Sequence, residues 1–267
     1  MEDRITVELN DGVADVRLVR ADKMNALDDA MFSALVETGE RLKTQKGVRA
    51  VVISGVGRAF CAGLDMGNFG KMASGDRRAA GGNLETPRTT GGANRAQQAV
   101  MAWREIPVPV IAAVHGVAFG GGFQLALGAD MRFVTPDTRM SVMEIKWGLV
   151  PDMAGVALLR GLVRDDVARE LTFSGRIFSG QEALGLGLAT RVCDDPLTEA
   201  LAFAREVAGR NPEAIRAGKR LLDLAIEGDQ HAILLAETTE QVKLIGSPNQ
   251  VEAVKANLEK RAPQFAD

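Results

Sequence analysis

The chain opens on strict alternation. Ile5-Thr6-Val7-Glu8-Leu9 and Val13-Ala14-Asp15-Val16-Arg17-Leu18 set apolar and polar residues on opposite faces, and Asp11-Gly12 between them is a hairpin signal. At Asp28 the period changes. An N-cap residue precedes apolar positions at helical spacing to about Lys43, with Leu35 and Leu42 on one face. Ala50-Val51-Val52-Ile53 is then continuously apolar, as expected of a strand covered on both sides. The order strand, strand, helix, strand predicts a ββα unit that recurs. Further strands are predicted at Val110–Val114, Met131–Val134 and Arg139–Val142, with helices at Gln97–Glu105 and from about Gly122 to Leu127. Beyond Val156 the pattern is nearly all helical: Arg164–Thr172, Gly180–Leu184, and four segments near 196–210, 212–227, 229–245 and 248–260. We therefore expect a ββα core over 1–195 and a helical oligomerisation region over 196–267, unless those helices pack on their own core.

Two stretches depart from this rhythm. From Gly67 to Ala96 glycine, alanine, arginine and threonine dominate, which reads as a mobile loop, either a pocket wall or a surface insertion. Ile106–Ala129 carries no formal charge and is long enough to cross a bilayer. Pro107, Pro109, His115, Gln124 and five glycines interrupt it, so it reads as a buried strand, a glycine turn and a buried helix. The 267 residues are 46% hydrophobic and 25% charged, within ordinary globular usage. A net charge of −3, from 32 basic and 35 acidic residues, offers no basic excess for nucleic acid. Two cysteines and two histidines leave no disulfide framework, no CxxC pair and no histidine-rich metal site. Met1-Glu2-Asp3-Arg4 runs straight into the alternating segment, with no apolar leader. A reducing, cytoplasmic setting without membrane, metal or nucleic-acid partners is the expectation.

Candidate chemistry lies in two glycine-bearing turns. Gly57-Arg58-Ala59-Phe60-Cys61-Ala62-Gly63-Leu64-Asp65 follows a buried strand; His115-Gly116-Val117-Ala118-Phe119-Gly120-Gly121-Gly122-Phe123-Gln124 lies between a strand and a helix. Successive glycines let main-chain N–H groups approach a ligand closely, and a helix start favours negative charge there. A phosphate or a carbonyl oxygen becoming an oxyanion would fit. Neither turn matches the GxGxxG or GxxxxGK[ST] patterns of nucleotide loops. Cys61 reads as a small hydrophobe, and His115, with no nucleophile in its motif, as a hydrogen-bonded structural residue.

Phe60-Cys61-Ala62-Gly63-Leu64-Asp65, with Ala112-Ala113-Val114-His115-Gly116 through Gly122, resembles the crotonase (enoyl-CoA hydratase/isomerase) superfamily. Arg20 through Asn25-Ala26-Leu27 is similar to its early CoA-binding loop. Phe173-Ser174-Gly175-Arg176 through Gly187-Leu188 looks like its later signature, and Glu259-Lys260-Arg261 through Phe265 like its tail, so the resemblance spans nearly the whole chain. It implies an α/β fold, a crotonase-type spiral of ββα units with a helical C-terminal region, assembled as a homotrimer or a dimer of trimers. It further implies an acyl-CoA thioester substrate, with coenzyme A as part of the substrate and no other cofactor. The Leu64 and Gly121 amides would form an oxyanion hole. Substrate contacts would come from Lys23, Asn25, Ala26, Ala62, Asp65, Gln124 and Lys260, the last at a neighbouring subunit's site, although Asn257 stands where hydratases carry an aromatic.

The family's hydratases use two glutamates; here Gln124 stands at the first position and Glu144 at the second. An amide cannot exchange a proton at neutral pH, which leaves Glu144, among apolar Met143, Ile145 and Trp147, as the candidate general base. Asp152, in Gly148-Leu149-Val150-Pro151-Asp152, matches the aspartate of the family's dienoyl-CoA isomerases, although Pro151 does not; it could instead cap a helix starting near Met153. The expected reaction is a double-bond shift in an enoyl- or dienoyl-CoA. Hydration of a 2-enoyl-CoA and non-catalytic acyl-CoA binding are the alternatives. A serine-peptidase relative of the same spiral lacks the required Ser–His pairing.

Overall fold

The computed structural model describes residues 4–75, 84–85 and 87–267. In chain order the strands are β1 (Ile5–Asn10), β2 (Val13–Leu18), β3 (Ala50–Gly55), β4 (Val110–Val114), β5 (Val117–Phe119), β6 (Met131–Val134), β7 (Arg139–Ser141), β8 (Phe178–Ser179) and β9 (Arg191–Val192). Six of them form one sheet, in the order β1-β2-β3-β4-β6-β9, parallel throughout except for the β1–β2 hairpin. The other three form a small sheet, β5-β7-β8.

The expected ββα repeat is visible in how the chain divides between these sheets. Strand β4 runs in the large sheet, β5 in the small one, and α4 (Gly121–Leu127) follows; β6 and β7 repeat the division. After β3 the same role falls to Cys61, which bridges Ala118 of β5 in parallel. The crossovers tuck one turn of chain against the next, so the segments following β3 and β4 lie side by side.

Helix α1 (Asp29–Thr44) starts where the sequence predicts: Asp28 Oδ1 accepts from the Met31 N–H at 2.8 Å, and Met31, Phe32, Leu35 and Leu42 are buried. After α2 (Met66–Ala73), α3 (Arg95–Arg104) is set by a reciprocal capping box between Asn94 and Gln97. Short helices α5 (Gly155–Leu159), α6 (Asp165–Ser174) and α7 (Gly180–Leu186) lead to α8 (Pro196–Ala208), α9 (Pro212–Ala225), α10 (Gln230–Leu244) and α11 (Pro248–Leu258).

The structure refines several sequence expectations. The segment expected to be a loop over 67–96 begins as α2, whose Met66, Phe69 and Met72 recur at helical spacing beneath a glycine-rich composition; positions 76–83 and 86 lie outside the described residues. Stretch 106–129 is β4, β5 and α4, and no helix among the described residues is long and apolar enough to cross a membrane. Asp152 caps nothing: α5 begins at Gly155, with Ala154 at its N-cap. Helix α8, just beyond the 195/196 division, packs on the large sheet. Its Ala200, Ala204 and Ala208 complete a second core with Val13, Val52, Ile111 and Phe133, on the face opposite α1 and α3.

The later helices are more peripheral. Helix α9 is tied to the core by Lys219, whose ammonium donates to Asp130 at 2.7 Å and to the Val108 carbonyl at 3.1 Å. Helix α10 buries no residue. The tail folds back to Arg49, at the start of β3, which donates to the Phe265 carbonyl and to Asp267.

Helix α8 meets the sheet through alanines because it lies close to it. Ala204→Leu should therefore overpack that layer and destabilise the protein by about 1–3 kcal/mol in denaturant unfolding. Ala202→Leu, on the exposed side of the same helix, should stay within roughly 0.5 kcal/mol.

Candidate active site

A mostly apolar cavity of about 960 Å³ opens between α2, the loops around Met24 and Leu64, the turn at Gly120–Gly121, and the stretch from Met143 to Met153. Leu64, Gly121, Glu144 and Asp152 all line it, as do Lys23, Ala26, Ala62 and Asp65.

The two predicted oxyanion donors meet because two turns are laced together. Leu27 and Leu64 form a parallel bridge in which the Leu27 N–H donates to the Gly63 carbonyl and the Asp65 N–H to the Leu27 carbonyl. The bridge uses the groups on either side of Leu64. The Leu64 N–H itself makes no backbone hydrogen bond among the described residues. Gly121 is the first residue of α4, so its N–H has no intrahelical acceptor. A Cβ on Gly63 would lie 2.5 Å from the Phe119 carbonyl oxygen and only 3.6 Å from the Gly121 nitrogen, so these turns touch. Gly63, at φ +86°, and Gly120, at φ +50°, hold conformations that side chains disfavour, and a Cβ on Gly120 would press on the Glu144 carboxylate at 3.2 Å.

Asp65 has a structural task. Its Oδ1 caps α2 by accepting from the Gly67 N–H, and its Oδ2 accepts from Arg20 at 2.6 Å. These donors hold the Asp65 carboxyl below the usual carboxylate range. Arg20 also binds the Ala26 carbonyl at 2.9 Å, so one guanidinium joins the early loop to the loop carrying Leu64. In the sequence Arg20 is only the edge of a motif; its Asp65 partner is forty-five residues away and leaves no local signal.

Glu144 opens a short 3-10 turn, Glu144–Trp147, just after β7. Burial pushes its carboxyl above the usual range, and the nearby Asp152 charge pushes in the same direction, against hydrogen bonds from its own backbone and from Gln124. The Gln124 amide donates to Glu144 Oε1 at 2.6 Å. Glu144 Oε2 is buried and has no protein partner among the described residues. Asp152 is likewise raised by burial. Two carboxyls with elevated proton affinity therefore share one cavity with two main-chain donors.

Two predicted contacts, Gln124 and Asn25, do not line this cavity. Gln124 lies behind Glu144, outside the cavity wall; its Oε1 accepts from the Met153 and Gly155 N–H groups, each at 2.9 Å. Asn25 is fully buried, and its amide donates to the Val56 and Ala59 carbonyls, so it braces the loops and does not face the cavity. Lys260 sits just past α11 and does not line the cavity of its own chain. Cys61 is buried, with its thiol pushed up to about 12, as suits a small core residue. His115 lies 2.8 Å from the Gly57 carbonyl, to which Nε2 donates. Among the described residues no cluster of three or more His, Cys, Asp or Glu could hold a metal ion.

Two neighbouring main-chain amides free of backbone partners among the described residues, beside a carboxyl in an apolar cleft, suit an acyl compound whose carbonyl becomes an enolate. The comparisons with known proteins agree. Residues 8–267 match the profile of the enoyl-CoA hydratase/isomerase family, and the chain belongs to that family. It is 31% identical to the mitochondrial methylglutaconyl-CoA hydratase of Mus musculus, covering 97% of this chain and 81% of that one. It is 30% identical to the mouse mitochondrial Delta(3,5)-Delta(2,4)-dienoyl-CoA isomerase, covering 93% and 77%. The crystal structure of an enoyl-CoA hydratase from Bacillus anthracis superposes with a TM-score of 0.88 at 27% identity, covering 98% of each chain.

Glu144 must be ionised to accept a proton, so the acid limb of kcat/KM should lie above the ordinary glutamate pKa of about 4.3. Asp152→Asn removes a repelling charge and should move that limb to lower pH. Gln124→Glu adds one and should move it higher. Profiles of kcat/KM against pH check both signs. Gly63→Ala, which forces a Cβ onto the Phe119 carbonyl, should displace the Leu64 donor and lower turnover by roughly 10²-fold.

Proposed function

We propose that this acyl-CoA enzyme shifts a double bond of an unsaturated acyl chain. The thioester carbonyl is placed between the Leu64 and Gly121 amides, which stabilise negative charge on its oxygen. Glu144 Oε2 removes a proton from C2 of a 3-enoyl-CoA, and the electron pair moves to the carbonyl oxygen to form a dienolate. Return of that proton at C4 gives the 2-enoyl-CoA. With a 3,5-dienoyl-CoA the two ends are farther apart, and Asp152 shares the removal and return with Glu144.

The observation that carries this reading is the hydrogen bonding of Gln124. Two main-chain N–H groups occupy its oxygen, so its NH₂ faces Glu144 and can neither accept nor release a proton. A mechanism with two glutamates on water lacks its first member here. Hydration is the second reading, supported by the hydratases among the relatives and by the Glu144–Asp152 pair, which could hold a water.

The two are separated by following ultraviolet absorbance with 2-enoyl-, 3-enoyl- and 3,5-dienoyl-CoA. Isomerisation of the latter two, with slower hydration of the first, is expected; fast hydration alone would overturn the isomerase reading. Glu144→Gln should reduce turnover by about 10²–10⁴-fold while acyl-CoA binding persists. A wild type that binds acyl-CoA and turns over none of these would mark a binding protein.

We also propose self-assembly as a homotrimer or a dimer of trimers, supported by exposed Leu222, Leu234, Leu235, Val242, Ile245 and Leu258 on α9–α11. Lys260 would then meet a neighbour's substrate. Two free cysteines support a reducing, cytoplasmic setting.

A further inference from the structure

The thioester carbonyl divides the cavity. On the proposed reading its oxygen lies at Leu64 and Gly121, and C2 and the carbons beyond it lie toward Glu144 and Asp152. The acyl chain therefore runs along the residues next to those carboxylates and along the facing helix α2. That part of the wall is mostly hydrocarbon and sulfur. Half of the chain's ten methionines line the cavity, Met66, Met72, Met143 and Met153 among them. Methionine is unbranched and polarisable, and suits a surface that moulds itself to a variable apolar guest.

One contact closes this wall. The rings of Phe69, on α2, and Trp147, in the turn that begins at Glu144, stack with centroids 4.2 Å apart and planes 25° apart. Both rings line the cavity and both are partly exposed, so the stack stands between the acyl path and solvent. Phe69 is five residues beyond the donor Leu64, and Trp147 three beyond the base Glu144. The pair thus joins the two halves of the catalytic machinery across the acyl path.

We infer that the site takes an extended, wholly hydrocarbon acyl chain, and that the Phe69–Trp147 stack is its specificity determinant, sheltering the chain from water. This rests on the acyl-CoA reading above and adds the chemical class of the acyl group. The competing guest is an acyl group with a distal carboxylate, for which Lys146, Arg139 and Lys23 all line the cavity; the Lys146 ammonium lies 5.6 Å from the Trp147 ring centroid.

Binding decides this independently of turnover. Dissociation constants of saturated acyl-CoAs from butyryl to palmitoyl, and of glutaryl-CoA, are measured by calorimetry on wild type, Trp147→Ala, Trp147→Phe and Phe69→Ala. In wild type, affinity should rise about threefold to fourfold per methylene until the chain fills the cavity, and glutaryl-CoA should bind no better than butyryl-CoA. Trp147→Ala and Phe69→Ala should weaken the long chains by roughly tenfold and butyryl-CoA by less than twofold, with Trp147→Phe restoring most of the loss. Affinity that does not change with length, equal weakening at every length, or a preference for glutaryl-CoA would overturn the inference. Absence of turnover with length-dependent binding intact would strike the proposed reaction and leave the inference standing.

Discussion

The carboxamide of Gln124 is the contact on which the site's geometry depends. It is buried, and it makes three hydrogen bonds: one given to Glu144, two taken from the main chain at Met153 and Gly155. In a low-dielectric interior such bonds are strong and costly to leave unmade. Through them a single side chain on α4 fixes the orientation of the base, the path of the segment carrying Asp152, and the left-handed residue Ala154 from which α5 starts. Gly121, proposed above as an oxyanion donor, lies three residues earlier on the same helix. Donor, base and second carboxyl are thus referred to one rigid element. That is the condition for aiming groups within fractions of an ångström.

Charge follows the same design. Asp65, open to donors from Gly67 and Arg20, is held ionised and locks the loop that presents Leu64. Glu144 and Asp152 sit in apolar surroundings that favour the neutral form. Carboxylates in one cavity therefore divide into an anion that builds structure and two groups whose proton affinity burial raises.

Much of this was legible in the sequence, and the exceptions have physical reasons. The hairpin, α1, β3, β4 and α4 announce themselves by local period and by caps such as Asp28. The glycines at 63 and 122 mark places where backbone must approach backbone, and Leu64, Gly121, Glu144 and Asp152 do line one cavity. Strand β5, three residues long, was hidden inside a turn because no period fits in that length. Helix α2 was masked by its glycines, although Met66, Phe69 and Met72 carried the helical spacing. The side chains of Asn25 and Gln124 were read as facing substrate, yet both are spent on main-chain groups of distant loops, which no local pattern reveals. Helix α8 looked like part of an appendage because its alanines fit a close helix–sheet layer and a helix–helix contact equally well.

The two walls of the cavity differ in how firmly they are built. The wall formed by α4 and the turn after β7 is braced by buried hydrogen bonds. Helix α2 buries only Asn68, and is secured by its cap and by one aromatic stack. Fluctuation will concentrate on the second side, where few contacts resist it. Cargo preference can then drift by substitution in one pliable helix while the proton-handling groups opposite stay in register, a division of labour by which one scaffold can serve many acyl chains.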